Sequence, residues 1–241
     1  MIECRFYLVP DLLAPELVRE AHIAFLDLST YELAYQVTVR DYIIFRNVLP
    51  TDYVTDIFHR FGGPKDPSEI KAMKCLEALV NDEMFWVIHE VVQETNVHRR
   101  AKCIKHFIHI ALHLKMLKNY NSLFAILSGL GHGAVNRLKQ SWEKLPHKTC
   151  RQFNELQALM DPSRNMSKYR SLKQDNEMPP LIPFVPVIKK DLTFLHLGND
   201  TKVDGLINFE KMRMIAREIR TVRQYCEPIA WSSSYWYGIL S

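Results

Sequence analysis

The amino-acid sequence predicts an all-α fold, and three observations carry that expectation. Only eight glycines occur in 241 residues, so few positions favour turns or left-handed backbone. The alternation of Val, Ile and Thr with polar residues that marks half-buried strands is scarce. Long segments instead repeat apolar residues at helical spacing.

Composition bounds the function. Hydrophobic residues make up 47% and charged residues 24%, the globular range, and the chain is long enough to bury a sizeable core. The net charge of +4 is mildly basic and lacks the sharp clustering of most nucleic-acid binders. Cysteine occurs at Cys4, Cys75, Cys103, Cys150 and Cys226. The number is odd and no CxxC pair occurs, which fits neither a disulfide framework nor a zinc knuckle and points to a reducing compartment. No apolar run of about 18 residues occurs, as a membrane-spanning helix needs, and acidic and polar residues interrupt the signal-peptide pattern in the first 20 positions. The expected location is cytoplasmic, with recruitment to membranes through a partner.

In chain order, residues 1–21 form a lead. "VREAHIAFLDLSTYELAYQVTVRDYIIFRNVLP" (18–50) reads as acid-capped helical segments separated at Ser29-Thr30 and ending at Pro50. "FGGPKDPS" (61–68) is a loop, with Gly-Gly and two prolines as breakers. The next segment places Ile70, Met73, Leu76, Leu79 and Val80 at helical spacing. "RRAKCIKHFIHIALHLKMLKN" (99–119) puts Ile104, Phe107, Ile108, Ala111 and Leu112 on one face. "SGLGHG" (128–133) reads as a turn between helices, and Asp161-Pro162 as an N-cap followed by proline at the first helical position. From 179, a proline-rich lead runs into an apolar-patterned segment that breaks at Gly198-Asn199. A longer helical pattern follows, with a seam of Met212, Ile215, Ile219 and Val222. The tail, 226–241, leaves the helical pattern after Pro228.

Little in this order nominates chemistry. His106, His109 and His113 share one helix face beside Lys102 and Lys105. Without a nearby carboxylate the expected reading is a solvated surface, not a metal site. Arg99, Arg100, Lys102 and Lys105 form a basic helix start, a solvated face or a contact for an acidic partner or phosphate. No GxxxxGK[ST] loop, GxSxG elbow or HExxH pair occurs. The polar residues that stand out fall at predicted helix ends and turns: Asn121-Ser122, Gly131, Asn136-Arg137, Trp142, Arg164-Asn165 and Gly198-Asn199. They suit a binding surface as well as caps and turns.

Several long blocks resemble one family. "NYNSLFAILSGLGHGAVNRLKQSWEKLP" (119–146) is similar to the central signature of the Ras-type guanine nucleotide exchange domain. "DPSRNMSKYR" (161–170) and "PPLIPFVPVIKKDLTFLHLGN" (179–199) resemble its next two blocks, in order, and "FLDLSTYELAYQVTVRDYIIFRNVLPTDYV" (25–54) its opening helices. The resemblance covers about 22–225. "KKDLTFLH" and "VDGLINFEKMRMIAREIR" look most similar to exchangers for Rap GTPases, the Epac-like, PDZ-domain-bearing and Link-type members.

The resemblance implies an all-helical multi-helix domain with a protruding helical hairpin. The hairpin, with arms at about 186–197 and 208–222, levers the first switch of a Rap- or Ras-family small GTPase away from its nucleotide. It implies no cofactor, no nucleic-acid partner and no covalent step. By resemblance, Leu192, Thr193 and Leu197 fall on the face entering the GTPase, His196, Gly198 and Asn199 complete the hairpin end, and Phe184 lies at the hinge. Gly131, Asn136 and Asn165 line the groove for the second switch, flanked by Arg137 and Arg164, while Arg137 and Trp142 support that groove. One departure stands out. The Rap-exchanger pattern at the hairpin end reads His-Glu-Gly-Asn, and this chain reads His196-Leu197-Gly198-Asn199. Leucine can neither accept a hydrogen bond nor pair with a lysine. The alternative is therefore a module that captures or scaffolds a GTPase with weak or no exchange. A helical nucleic-acid-binding domain built on 99–105 is a third reading.

Overall fold

In the computed structural model, the residues described are 25–60, 71–175 and 179–226. The lead, the Gly-Gly loop, Ile70 and the tail beyond 226 lie outside them. Eleven helices follow in order among the described residues: α1 (Thr30–Arg46), α2 (Pro50–Arg60), α3 (Lys71–Gln93), α4 (Val97–Met116), α5 (Tyr120–Gly131), α6 (Gly133–Asn136), α7 (Lys139–Trp142), α8 (His147–Gln157), α9 (Ser163–Asp175), α10 (Val185–Leu197) and α11 (Phe209–Gln224). The sheet they contain is one antiparallel ribbon, β1 (Lys202–Val203) with β2 (Leu206–Ile207). The expected all-α class holds.

The boundaries follow local chemistry. Ser29 caps α1 by accepting from the Glu32 amide at 3.4 Å, and Asn96 caps α4 by accepting from the His98 and Arg99 amides. Each cap satisfies a donor that the helix start leaves open. Pro50 begins α2, where its fixed φ and missing N–H cost nothing, and the Asp52 carboxylate accepts from the Leu49 amide at 2.8 Å.

The core is organised around α5, in which every residue except Ser128 and Gly131 is buried. Helix α3 lies along it at close range. A Cβ on Gly129 would stand 2.7 Å from Val87 Cβ and 2.8 Å from the Met84 carbonyl oxygen, so glycine is what lets the two backbones approach. Helix α4 contributes Ile104, Phe107, Ile108, Ala111 and Leu114, all buried. Burying the larger of these side chains stabilises the fold by roughly 1.5–3 kcal/mol each.

One polar knot sits in this core. Asn119, the N-cap of α5, accepts from the Ser122 amide at 3.1 Å and donates to Asp41 Oδ2 at 2.8 Å. Arg40 donates to Asp41 Oδ1 through Nε at 3.0 Å and is also paired with Glu83. The Ser122 hydroxyl is bonded to Asp41 and lies 3.0 Å from Glu83 Oε1. Asp41, Glu83, Asn119 and Ser122 are all buried. Burial, and then the Asp41 charge, push the Glu83 carboxyl well above the ordinary range, against the pull of Arg40 and Ser122.

The histidine face of α4 is partly covered. Phe25 packs on the His106 ring (4.7 Å between centroids) and Tyr31 meets His113 edge-on at 5.6 Å. The three imidazoles are half-buried. Desolvation lowers the pKa of His106 and His109 from the usual imidazole value. Aromatic residues from the start of the described chain cover a face that the α4 pattern taken alone leaves open.

Candidate functional site

The chain from Leu181 to Tyr225 builds a hairpin that is buried at its base and exposed at its end. The lead into it is pinned by main-chain bonds: Tyr120 N–H donates to the Ile182 carbonyl at 2.9 Å, Ile182 N–H to Lys118 at 3.0 Å, and Leu181 N–H to Tyr225 at 3.3 Å. Phe184 precedes α10. Its ring stacks on Phe124 (4.3 Å, 11°), and its amide donates to the Tyr169 hydroxyl at 2.9 Å. Val185, Val187, Ile188 and Leu192 of α10 are buried, as are Ile215, Ile219 and Val222 of α11. Lys189 pairs with Asp56 of α2 at 3.1 Å and with Glu77 of α3.

Past Leu192 the exposed face takes over. Phe194 is 59% and Leu197 61% exposed. Leu192 itself is 1% exposed. It packs into the base of the hairpin and offers no face to a partner, a correction to its expected place on the entering surface. The reason is periodicity: Val185, Ile188 and Leu192 fall at i, i+3 and i+7 and share the core stripe. Thr193 is half-buried and its hydroxyl donates back to the Lys189 carbonyl at 2.7 Å. The His196 ring meets Phe58 edge-on, and burial, then Lys211, lower its pKa. Gly198 caps α10, and Asn199 donates to the Leu195 carbonyl at 3.0 Å.

A residue outside the expected set holds the far end together. Lys211 is 2% exposed. Its ammonium donates to the His196 carbonyl at 2.7 Å, the Asn199 carbonyl at 2.8 Å and Thr201 Oγ1 at 2.8 Å. A cation on the C-terminal carbonyls of α10 also opposes the helix dipole favourably.

The second expected region lies where α5, α8 and α9 end or begin. Gly131, Asn136, Arg137, Arg164 and Asn165 are exposed. Gln157 Nε2 would be 3.5 Å from a Cβ on Gly131, which places the end of α8 beside the end of α5. Trp142 donates to the Val135 carbonyl at 3.1 Å and packs on Phe153, so it supports the turn that carries Asn136.

Asp161-Pro162 does not open a regular helix. Asp161 accepts from the Ser163 amide at 2.9 Å, but Arg164, Asn165 and Met166 are all left-handed (φ 48°, 56° and 58°). Three such non-glycine residues cost roughly 1–2 kcal/mol each, so the surroundings must hold them. Arg170 does part of this, donating to the Asn165 carbonyl at 2.8 Å and to Asp191 of α10 at 2.6 Å. That guanidinium ties the turn to the hairpin arm, a link that sequence reading missed.

Chemistry is sparse. Among the described residues no cluster of three or more His, Cys, Asp or Glu side chains is placed to hold a metal. No helix there is long and apolar enough to cross a membrane. A cleft of about 790 Å³ lies away from the hairpin arms, lined by Lys105, His109, His113, Lys148 and Leu172 among others.

The described residues form an all-α body that presents a braced helical hairpin beside a strained turn, and that defines its structural class. Comparison narrows it. The RasGEF domain profile matches residues 32–213, and the chain belongs to that family. It is 51% identical over 210 residues to human Rap guanine nucleotide exchange factor 6, covering 87% of this chain and 13% of that protein. It is 47% identical over 219 residues to a Caenorhabditis elegans Rap guanine nucleotide exchange factor, covering 89% and 14%. Against human Rap guanine nucleotide exchange factor 3 the figures are 40% over 195 residues, 80% and 20%. The chain thus spans between about an eighth and a fifth of the length of these relatives.

Proposed function

We propose that this chain is a guanine nucleotide exchange domain, within 22–225, for a Rap- or Ras-family small GTPase, acting at the cytoplasmic side without a chemical step. The observation that carries the reading is the hairpin: a base packed on α2 and tied to α3 and α9 by ion pairs, and an end that turns Phe194 and Leu197 to solvent. A nucleotide held at nanomolar to picomolar Kd is bound by roughly 12–16 kcal/mol. An exchange factor offsets that loss through its higher affinity for the nucleotide-free state. A stiff arm meets that need because little ordering cost remains at the moment of binding. The exposed face at Gly131, Asn136 and Asn165 holds the second switch, and the arm from Thr193 to Asn199 disturbs the first.

The test is release of a fluorescent nucleotide from a panel of Rap and Ras GTPases. Faster release from at least one supports the reading; unaltered release from all, with the chain folded, rejects it. A second reading, capture with weak exchange, is favoured by Leu197, which stands where the family pattern carries an acid. Stable binding of nucleotide-free GTPase with slow release is its signature.

A further inference from the structure

We propose that the two-stranded end of the hairpin, residues 200–209, is a second contact element that docks on an apolar, basic-rimmed surface of the GTPase outside its nucleotide site. This rests on the exchange-domain reading above. Val203 is 52%, Leu206 74%, Ile207 57% and Phe209 70% exposed. Single exposed apolar side chains are ordinary, but four within seven residues, spread over both faces of one short ribbon, make an apolar end of the kind that marks an interface. Val203 and Leu206 are register partners across the ribbon, so they stand on one face together, with Ile207, opposite Lys202, on the other.

The patch is held rigidly. Asp204 and Gly205 have φ of 50° and 81°, the backbone of the tight Asp-Gly turn that matches strand twist. Asn208 donates from its amide to the Thr201 carbonyl at 2.9 Å and from Nδ2 to the Asp200 carbonyl at 2.9 Å. Lys211 closes the other side through its three bonds. Such fixing lowers the ordering cost of binding. Two-residue strands are too short to recruit another strand, so what the end presents is side chains.

Charge selects the occupant. On the ribbon itself Asp200 and Asp204 stand against Lys202, and Glu210 just beyond it is paired with Arg213 at 3.7 Å. A ribbon with more carboxylates than ammonium groups offers an anionic bilayer or a nucleic acid no attraction. A protein surface with an apolar centre and Lys or Arg at its rim is matched. The ribbon continues directly from the arm bearing Phe194 and Leu197, so a GTPase that grips the arm is the protein brought against it.

The test compares the full chain with Leu206→Asn/Phe209→Ser in nucleotide release at varied concentrations of the GTPase that the wild type discharges fastest. Contacts outside the nucleotide site add uniform binding, so KM should rise roughly ten- to a hundredfold with kcat within about twofold. The melting temperature should hold, since both side chains are exposed. Unchanged KM in the variant, with the wild type active, overturns the proposal and leaves the exchange reading standing. A wild type that neither discharges nor captures any GTPase overturns both. Two further arms identify a different occupant and would also overturn it: co-sedimentation with phosphatidylserine–phosphatidylcholine vesicles lost in the variant, or self-association by sedimentation velocity lost in the variant.

Discussion

Replacing Lys211 with Met keeps the length of the side chain and removes the ammonium that joins the end of α10 to α11. Its three hydrogen bonds, at 2.7, 2.8 and 2.8 Å, are of the charged kind, worth about 1.5–3 kcal/mol each before the cost of dehydrating the cation. Removing it strands the His196 and Asn199 carbonyls and the Thr201 hydroxyl. Each orphaned group costs about 1–3 kcal/mol when dry, but the hairpin end is bathed in solvent and water re-solvates part of the set. A net loss of about 2–3 kcal/mol follows, confined to residues 196–209. Each 1.4 kcal/mol is tenfold in an opening equilibrium. Native-state amide hydrogen exchange in that segment should therefore accelerate roughly 30- to 150-fold. Helix α5 and the hairpin base, held by Ile215, Ile219 and Val222, should keep wild-type protection. Unchanged protection at 196–209, or a loss spread evenly through α5, would refute the reasoning.

Four other outcomes are expected. Leu197→Glu restores an acid at the exposed end of α10 and should raise the release rate on Rap several-fold; an unchanged rate in a folded variant counts against the acid's role. Asn165→Ala should weaken capture of nucleotide-free GTPase in a pull-down while lowering the melting temperature only slightly, since the residue is exposed and alanine tolerates φ of 56° at about 1 kcal/mol. Gly129→Ala forces a methyl to 2.7 Å from Val87 Cβ, and such overpacking costs about 1–3 kcal/mol. It should lower the melting temperature by roughly 2–12 °C in a domain of this size. The Glu83 carboxyl has a folded pKa above its unfolded one, so its contribution is complete below the ordinary carboxylate range and is lost as pH rises toward and through neutrality. Thermal melts from pH 5 to 8 should show wild-type stability falling over that span relative to Glu83→Gln, with equal slopes as the contrary result.

Much of the body was legible because burial there follows simple periods. Ile104, Phe107, Ile108 and Ala111 are buried as their spacing predicts, whereas "SGLGHG", expected as a turn, is the last turn of α5 through Gly131 with His132 alone before α6. The hairpin arms fall within two residues of expectation at either end. What escaped was set by contacts distant in sequence. Leu192 belongs to the core stripe of α10, a fact its own spacing carried and family analogy obscured. The left-handed run at Arg164–Met166 has no glycine to announce it; Arg170 and Asp161 hold it from outside. Asp204-Gly205 is a recognisable hairpin turn, yet two-residue strands are too short for an alternation signal. Lys211 looks like any surface lysine until α10 folds its last carbonyls over it.

Arg170 carries a consequence for anyone dissecting this surface. Because one guanidinium bonds both the Asn165 carbonyl and the Asp191 carboxylate, the left-handed turn and the hairpin arm share a mechanical joint. Effects measured by changing one element will not sum with those of the other. Since the Asn165 acceptor is its main-chain carbonyl, a double-mutant cycle between positions 170 and 191 would read that joint in units of coupling energy, and it would do so in the isolated chain.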